Sequence, residues 1–378
     1  MPFDSYYDTI LEEGKKGAIF TDFLVILTLR HGLGPRIPAC SQIDIPMQID
    51  YNEINLQQPA FGSQKGQRVK YGVVIVTCNR KKLLSECLDC VLNQTLPFAH
   101  IIVVDNHSTD GSGEYLDALA GQQKALKVFH MKENLGGAGG FAVGIKKILE
   151  TCCDWFLIID DDAMIEKTYM EKLARAVRGT DYLACSGTVM TEGRIDGLHR
   201  RRITNPCLMF FKPVEEKEYE KDTFTYDIST FCGLCIKTSL AKKAGLPRAD
   251  YFIWFDDAEY CLRFRRHTSI LNVNHAILNH KTQPSKSASV CWKHYYGLRN
   301  AIDIGKRYST HPRMYLFYIY MNHTAHILID SILLLLGSPG EDIRYRRQIY
   351  TDVLKGIRRQ KLGKDSRYLP GSNSPAAP

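Results

Sequence analysis

The sequence predicts an α/β fold in which a mostly parallel central sheet carries helices on both faces. From about residue 71 to residue 162, short apolar segments alternate with amphipathic ones. A parallel strand is buried on both faces, so it reads as a near-continuous apolar run. Polar residues also follow several of these runs, at the sheet edge where α/β folds bind their ligands.

The elements are predicted in chain order from this alternation. The first strand is YGVVIVTCN, beginning at Tyr71, and it is followed by helix KKLLSECLDCVLNQ, strand HIIVVDN, helix GSGEYLDALAG, strand KVFHM, helix GGFAVGIKKILETC and strand WFLIIDD. The connections should be right-handed. After Asp162 the alternation loosens. Further strands are predicted around Leu183–Val189, Phe231–Lys237 and Ile270–Asn279, and further helices at Tyr295–Tyr308 and Asp342–Gln360.

The composition divides the chain into four predicted regions. Residues 1–66, with weak periodicity and several prolines, form a small N-terminal appendage, and residues 67–300 form the main domain. Residues 301–368 form a helical, basic C-terminal region. Residues 369–378 form a disordered tail.

The C-terminal region carries much of the formal net charge of +8. Residues 341–368 contain nine Lys and Arg residues against four Asp and Glu residues. The preceding segment, Met314–Gly337, is strongly apolar, but His323, His326 and Asp330 make it a poor spanning helix. An apolar helix beside a basic one is typical of contact with an anionic membrane surface rather than with nucleic acid. A homo-oligomer contact or an ordinary buried helix is the alternative.

The twelve cysteines do not have the spacing of a disulfide framework. We therefore expect a reducing, cytoplasmic environment, with peripheral contact at the inner face of the cell membrane. Two CxxC pairs, Cys87/Cys90 and Cys232/Cys235, could together supply four zinc ligands. Their surroundings are typical of a helix and a strand rather than of a zinc knuckle, so buried free thiols are expected.

Three consecutive carboxylates, Asp160, Asp161 and Asp162, end an apolar strand in the segment IIDDDAMIE. Like charges at this spacing raise one another's pKa and cost stability unless a cation lies among them. Mg²⁺ or Mn²⁺ with a bound diphosphate would supply that positive charge. In an extended segment Asp160 and Asp162 point to the same side and could share the ion. A solvated acidic turn or helix start is the alternative.

A second acidic group lies in the segment YFIWFDDAEYCLRFRRH. Asp256, Asp257 and Glu259 follow an aromatic, apolar approach at the start of a predicted helix. Desolvation by Trp254 and Phe255 should raise the basicity of a carboxylate there, which suits a general base. Helix capping by Asp256, with Glu259 as its capping-box partner, is the alternative and is compatible with that role.

The glycine-rich segment ENLGGAGGFAVG leads into a predicted helix, so it permits close backbone approach and an anion at the helix N-terminus. It also suggests a different function. Gly137, Gly139 and Ala142 fit the relaxed dinucleotide fingerprint, with Asp160 about twenty residues later. That fingerprint follows the first strand of its sheet, whereas this turn follows the third.

His280 is singled out among the twelve histidines. It closes the predicted strand ILNVNHAILNH, which returns to the same sheet edge as the three aspartates. There it could complete a metal site as a nitrogen ligand. His275, within the same strand, is expected to have a packing or surface role.

In these segments the sequence resembles the family 2 inverting glycosyltransferases, which have the Rossmann-like GT-A fold. The resemblance covers roughly residues 71–300 and lies in VVIVTCNR, IIVVDNHSTDGS, NLGGAGGF, IIDDDA, FIWFDDAEYCLR, LNH and YYGLRN, in the order of the family. In combination, NLGGAGGF, the triple Asp, the aromatic-DDAE segment and YYGLRN are most similar to the bacterial galactofuranosyltransferases and the related rhamnosyltransferases.

The resemblance implies a role for each matching residue. Donor-binding roles are implied for Thr77, Arg80, Asp105, Asn134, Gly136, Gly137 and Asp161. The metal ion, Mn²⁺ or Mg²⁺, would be held by Asp160, Asp162 and His280. Asp257 would be the catalytic base, and the acceptor would be bound by Asp256, Glu259 and Trp254.

The resemblance also implies a reaction. The expected donor is UDP-galactofuranose, and the expected acceptor is a glycan, polyprenyl-diphosphate-linked or an oligosaccharide, in the synthesis of bacterial cell-surface polysaccharide. Phe255 stands where the galactofuranosyl type usually has tryptophan, so dTDP-rhamnose is the alternative donor. Alternatives of another class are an NAD-dependent oxidoreductase and a catalytically silent sugar-nucleotide-binding protein.

Overall fold

The computed structural model describes residues 69–281, 290–337, 340–358 and 361–369. The predicted N-terminal appendage, residues 1–66, lies outside the described residues. So do residues 370–378 of the predicted tail.

Strands and helices are numbered here in chain order within the described residues. The strands are β1 (Tyr71–Thr77), β2 (His100–Asp105), β3 (Leu126–His130), β4 (Trp155–Asp160), β5 (Ala163–Ile165), β6 (Ala184–Thr191), β7 (Arg194–Ile195), β8 (Arg200–Asn205), β9 (Phe210–Pro213), β10 (Thr223–Tyr226), β11 (Ile228–Ser229), β12 (Leu234–Lys237) and β13 (Ile270–His280). The α-helices are α1 (Lys81–Leu92), α2 (Ser112–Ala120), α3 (Gly136–Leu149), α4 (Tyr169–Val177), α5 (Thr238–Ala244), α6 (Asp256–Phe264), α7 (Lys293–Tyr308), α8 (Pro312–Leu335) and α9 (Glu341–Gly356).

The central sheet confirms the predicted α/β fold with mostly parallel strands. Its strands lie in the order β10-β13-β6-β12-β4-β1-β2-β3, with β5 paired to β13 and β7 paired to β6. Strands β3, β2, β1 and β4 are parallel to their neighbours in this series, and β13 is parallel to β6. Strand β12 runs antiparallel between β4 and β6. The sequence analysis predicted this strand but not its direction.

The buried strands align their carboxyl ends at one edge of the sheet. Every residue of β1 is buried, as its continuous apolar pattern predicted. Strand β1 pairs with β2 and β4 in a register that sets Thr77 opposite Asp105 and Val76 opposite Asp160. Polar residues from three different strands therefore meet at the edge where the ligand site was predicted.

The part of the chain between β6 and β12 contributes a separate three-stranded antiparallel sheet, β11-β8-β9. The sequence does not predict this sheet, because the segment RRRIT of β8 is typical of solvent-exposed charge. Arg200 and Arg201 are instead buried. The Arg200 guanidinium donates to the carbonyl oxygens of Gly187, His199 and Cys232. These bonds offset the desolvation of a buried cation.

Helices α7, α8 and α9 pack against one another. Asp330, which interrupts the apolar segment of α8, is fully buried and accepts a hydrogen bond from Arg346 Nε of α9 at 3.1 Å. Large apolar side chains remain exposed along the rest of α8 at helical spacing: Met314, Phe317, Met321, Leu328, Ile332 and Leu335. No helix in the described part of the chain is long and apolar enough to cross a membrane.

The cysteines of both CxxC pairs are free thiols. Cys87 of the first CxxC pair lies buried on α1, and both cysteines of the second pair are buried at and beside β12. Burial raises the pKa of the thiols of Cys87, Cys232 and Cys235 well above the ordinary value, which keeps them neutral.

Candidate active site

Two of the predicted metal ligands, Asp162 and His280, come together just beyond the end of β4. Strand β4 ends at Asp160, and shortly afterwards β5 pairs antiparallel with β13 so that Ala163 lies opposite His280. This register brings the imidazole of His280 next to Asp162, with Nε2 at 3.2 Å from Asp162 Oδ1. Asp162 and His280, which were predicted as metal ligands from distant parts of the sequence, thus lie side by side.

The three carboxylates are held together at an electrostatic cost. Burial and the neighbouring charge of Asp162 raise the pKa of Asp160 to about 7, and burial raises the pKa of Asp161 to about 6. Although burial opposes them, contacts with His280 and Arg80 hold the pKa of Asp162 below its usual range. A divalent cation at this edge would favour the ionised form of all three.

The residues at this edge fit a divalent cation. His280 Nδ1 is a buried polar atom with no hydrogen-bond partner among the described residues, and the buried Asp162 Oδ1 has only its ion-pair contact with His280 Nε2. Carboxylate oxygens with one imidazole nitrogen are a donor set suited to Mn²⁺ or Mg²⁺. Asp160, Asp162 and His280 would hold the ion.

Asp196 and His199, which the sequence did not indicate, form a further group of potential ligands around His280. With His280 they place potential ligand atoms within 4.8 Å of one another. Burial lowers the pKa of His199 to about 4, so its imidazole is neutral at neutral pH and able to bind a metal. Its Nε2 lies 3.3 Å from Asp196 Oδ2. The two residues lie between β7 and β8, where only the spacing DxxH could have indicated them.

Asp161 is held by residues at and just after the end of β1. Thr77 Oγ1 donates to Asp161 Oδ2 at 2.7 Å. Arg80 Nη1 donates to Asp161 Oδ1 at 3.1 Å and to Asp162 Oδ2 at 2.7 Å. Three residues predicted to bind the donor are therefore in contact, and Arg80 joins them to a predicted metal ligand. Its half-exposed guanidinium has further N–H groups suited to a diphosphate.

Asp105, predicted to bind the nucleotide, has a backbone N–H beside one carboxylate oxygen and an imidazole nitrogen beside the other. Its Oδ1 accepts the Ser108 N–H at 3.0 Å, and its Oδ2 lies 2.8 Å from His130 Nδ1. The other ring nitrogen of His130 lies 3.0 Å from Asp117 Oδ1. His130 thus bridges a carboxylate of β2 and one of α2. The sequence analysis missed it, although the β2–β3 register sets it opposite Asp105.

This bridge predicts a pH dependence of stability. The hydrogen bond to Asp105 raises the pKa of His130, burial opposes the rise, and Asp117 adds to it. The folded protein therefore favours the charged imidazolium. Its stabilising effect is fully present below about pH 6.5, the pKa of an unfolded histidine, and is lost as the pH rises through the higher folded-state pKa.

Thermal unfolding followed across this pH range measures the effect. His130→Gln should flatten the dependence of the unfolding midpoint on pH. His275→Gln, which removes an exposed histidine of β13, should leave that dependence unchanged. Equal slopes for H130Q and the unmodified protein would contradict the bridge.

Two asparagines organise the glycine-rich turn. Asn134 Oδ1 accepts the N–H of Gly136 at 2.8 Å at the start of α3. Asn106, which the sequence analysis missed, donates from Nδ2 to the Gly136 carbonyl oxygen at 3.0 Å. Gly136 has a φ of 72°, and a Cβ there would lie 2.0 Å from the carbonyl oxygen of Phe252. A Cβ at Gly137 would meet nothing within 4 Å, so that side of the turn is open.

The second acidic group begins helix α6. Asp256 and Asp257 are its first residues, and each is only 7% exposed. Burial raises the pKa of Asp256 well above the ordinary value, and the negative charges of Asp257 and Asp160 raise it further. Burial also raises the pKa of Asp257, against the opposing charge of Arg201. Because the charge of Asp160 contributes to the raised pKa of Asp256, the acidic group after β4 and the one on α6 are near enough to influence each other.

Trp254 and Glu259, both predicted to bind the acceptor, have different surroundings. The ring of Trp254 packs on the first turn of α7, 5.5 Å from the His294 ring. Glu259 is buried, and its two oxygens accept hydrogen bonds from Tyr308 at 2.7 Å and Arg263 at 2.8 Å. These bonds favour a role in fixing α6 over an acceptor contact. The capping box considered for this helix is not formed, because Phe255 rather than Asp256 is the N-cap residue.

Parts of the chain are similar to known glycosyltransferases. Residues 72–240 match the model of glycosyl transferase family 2. Galactofuranosyltransferase GlfT1 of Mycolicibacterium smegmatis is 39% identical over 89 residues, which cover 24% of this chain and 28% of that protein. Galactofuranosyltransferase GlfT2 of the same organism is 24% identical over 336 residues, with 76% and 52% covered. The chain thus spans less than two thirds of the length of either relative.

The fold is shared with a solved structure. The crystal structure of GalNAc-T7 with UDP, GalNAc and Mn²⁺ has a TM-score of 0.55 to this chain at 15% identity, and the match covers 77% of this chain and 56% of that one. At this identity the similarity concerns the fold alone. Residues 72–240 therefore match glycosyl transferase family 2, part of the chain is similar in sequence to galactofuranosyltransferases, and its fold is of the GT-A type.

Proposed function

We propose that the protein is a metal-dependent, inverting glycosyltransferase that moves a sugar from a nucleotide diphosphate to a glycan. One observation carries this proposal: two largely buried acidic groups, residues 160–162 and 256–257, are near enough for the charge of Asp160 to raise the pKa of Asp256, but they have different surroundings. The first lies beside His280 and suits a cation. The second lies beside the aromatic loop before α6 and suits a base.

The two acidic groups have separate work in the proposed reaction. A bound Mn²⁺ or Mg²⁺ would neutralise charge on the departing diphosphate. Arg80 adds a positive charge at the same place. Asp257 takes the proton of an acceptor hydroxyl, which attacks the anomeric carbon from the face opposite the diphosphate. The bond to the diphosphate breaks as the new glycosidic bond forms, and the anomeric configuration inverts.

UDP-galactofuranose is the proposed donor, and dTDP-rhamnose is the second candidate. The similarity to GlfT1 and GlfT2 supports the first. Phe255, in place of the tryptophan of the galactofuranosyl type, supports keeping the second.

A polyprenyl-diphosphate-linked glycan at the inner face of the cell membrane is the proposed acceptor. The exposed apolar side chains of α8 and the exposed Arg344, Arg347 and Lys355 of α9 support contact with an anionic lipid surface. Donors incubated with lipid extracts, with the products identified by mass spectrometry, would test both substrates.

Ligand titrations test the proposed class of enzyme. The purified protein is titrated with UDP and with NADH, with and without Mn²⁺. We expect UDP binding that Mn²⁺ strengthens, and no binding of NADH. Binding of NADH alone would favour an oxidoreductase. Metal-dependent UDP binding with neither donor hydrolysis nor transfer to any acceptor would favour a catalytically silent binding protein.

A further inference from the structure

The loop that leads into the acidic pair has a strained backbone. Within residues 250–255, Phe252, Trp254 and Phe255 have φ angles of 67°, 64° and 69°. Bulky residues rarely adopt this left-handed region, so the surrounding structure must hold the loop there. Asp256 follows directly, and its position depends on how firmly the loop is held.

Two neighbouring side chains of α7, Arg299 and Asn300, hold this loop by its carbonyl oxygens. They end the YYGLRN segment, to which the proposed reaction gives no role, and they are 1% and 0% exposed. Asn300 Nδ2 lies at hydrogen-bond distance from three carbonyl oxygens of the loop, those of Tyr251 (3.0 Å), Ile253 (3.0 Å) and Trp254 (2.9 Å). Arg299 Nη2 donates to two carbonyl oxygens, those of Asp250 (3.2 Å) and Tyr251 (3.0 Å).

The two side chains also fix each other. Arg299 donates from Nε and Nη2 to Asn300 Oδ1 at 3.1 and 3.0 Å. This arrangement turns the Asn300 amide so that its NH₂ group faces the loop. An aspartate at the same position would present only acceptors to those carbonyl oxygens.

A further carbonyl oxygen of the loop connects it to the glycine-rich turn on the donor side. Phe252 O accepts the N–H of Ala138, in the glycine-rich turn, at 3.2 Å. The turn approaches so closely that a Cβ at Gly136 would lie 2.0 Å from the same oxygen. The loop is therefore bound by α7 on one side and by the donor-side turn on the other.

We propose that Arg299 and Asn300 are positioning residues that fix this strained loop and thereby set the place of Asp256 and Asp257 relative to the glycine-rich turn. The proposal rests on the proposed function, in which Asp257 is the base. Without the amide of Asn300, the loop relaxes toward ordinary φ angles and Asp257 loses its alignment with the acceptor hydroxyl. The nucleotide site depends on other residues and remains.

Asn300→Asp tests this role, because it preserves the size of the side chain and replaces the donor by a carboxylate that repels three carbonyl oxygens. We expect kcat to fall at least about tenfold, since a small misplacement of a reacting group costs rate. The donor KM and the Mn²⁺-dependent affinity for UDP should stay within about twofold of the unmodified protein. Backbone hydrogen exchange at residues 252–258 should become faster.

Two further variants separate positioning from a general loss of stability. Asn300→Ser retains one hydrogen-bond donor, so its kcat and its hydrogen-exchange rates should lie between those of N300D and those of the unmodified protein. This variant also provides the test if N300D does not fold. Asp303→Asn is the matched control: it weakens the acceptor of the Tyr251 hydroxyl, at 2.8 Å, on the same face of α7 and leaves the loop carbonyl oxygens bonded. It should lower the unfolding midpoint while kcat and exchange of the loop stay unchanged.

Unchanged kcat and exchange in the Asn300 variants would overturn the inference. So would an equal fall of kcat in D303N at the same loss of stability. Absence of sugar transfer by the unmodified protein would instead refute the proposed function. The comparison of hydrogen exchange between the unmodified protein and N300D would then still decide whether Asn300 holds the loop.

Discussion

Replacing Asp257 with asparagine is expected to lower turnover at least about a hundredfold while metal-dependent UDP binding is retained. Asparagine has the shape of aspartate but takes up no proton. The carboxylate of Asp257 is buried and its pKa is raised, so it is a stronger base than an exposed aspartate. Initial rates at saturating donor and titration with UDP in the presence of Mn²⁺ measure the two quantities separately.

Asp181→Asn controls for the loss of a carboxylate, since Asp181 is exposed at the end of the turn before β6. It should turn over like the unmodified protein. Undiminished turnover in D257N would remove Asp257 from the role of base. Asp256, whose pKa is also raised, would then be the next carboxylate to replace.

Replacing His280 with alanine is expected to weaken Mn²⁺ binding in the presence of UDP at least about tenfold. Even groups that only orient a metal ligand typically contribute that much affinity, and His280 supplies the one nitrogen among the predicted ligands. The affinity for UDP should fall toward its value without metal. Calorimetric titration of Mn²⁺ into the protein with UDP measures the change.

His275→Ala is the matched control for this variant. Both histidines lie on β13, but His275 is exposed and His280 lies against Asp162. The control should bind Mn²⁺ like the unmodified protein. Equal Mn²⁺ affinity in H280A and H275A would exclude His280 as a ligand.

The first half of the central sheet was predictable because its strands are buried on both faces. Strand β1 was predicted from Tyr71 and is buried throughout, and the predicted end of β4 in an acidic run is where the strand ends. Such strands carry their own signal in a continuous apolar run. The direction of β12 has no such signal, because an apolar strand reads alike in either direction.

The site was predictable where a residue stands at a strand end. Asp105, Asp160 and His280 do so, and the register of the sheet brings them to one edge. His130 also ends a strand, but histidine is too common on surfaces to stand out. Asn300 lies within a helix and contacts a loop far away in sequence, a relation that no periodicity reveals.

The buried arginines were unpredictable for a different reason. Because burying a charge is costly, three successive arginines ordinarily indicate a segment that is exposed to solvent. Arg200 is buried because carbonyl oxygens of two distant segments, at Gly187 and Cys232, accept its N–H groups together with that of the preceding His199. These segments become neighbours only in the folded chain, so the sequence holds no local sign of the compensation.

The close approach of the glycine-rich turn to the loop before α6 limits how this domain can be redesigned. The backbone at Gly136 and the carbonyl oxygen of Phe252 occupy adjoining space, with no room for even one methyl group between them. A chimera that took its first half from one relative and its second half from another would bring together two segments that never fitted each other. Exchange of specificity between relatives therefore requires residues 134–138 and 250–256 to be transplanted as a single unit.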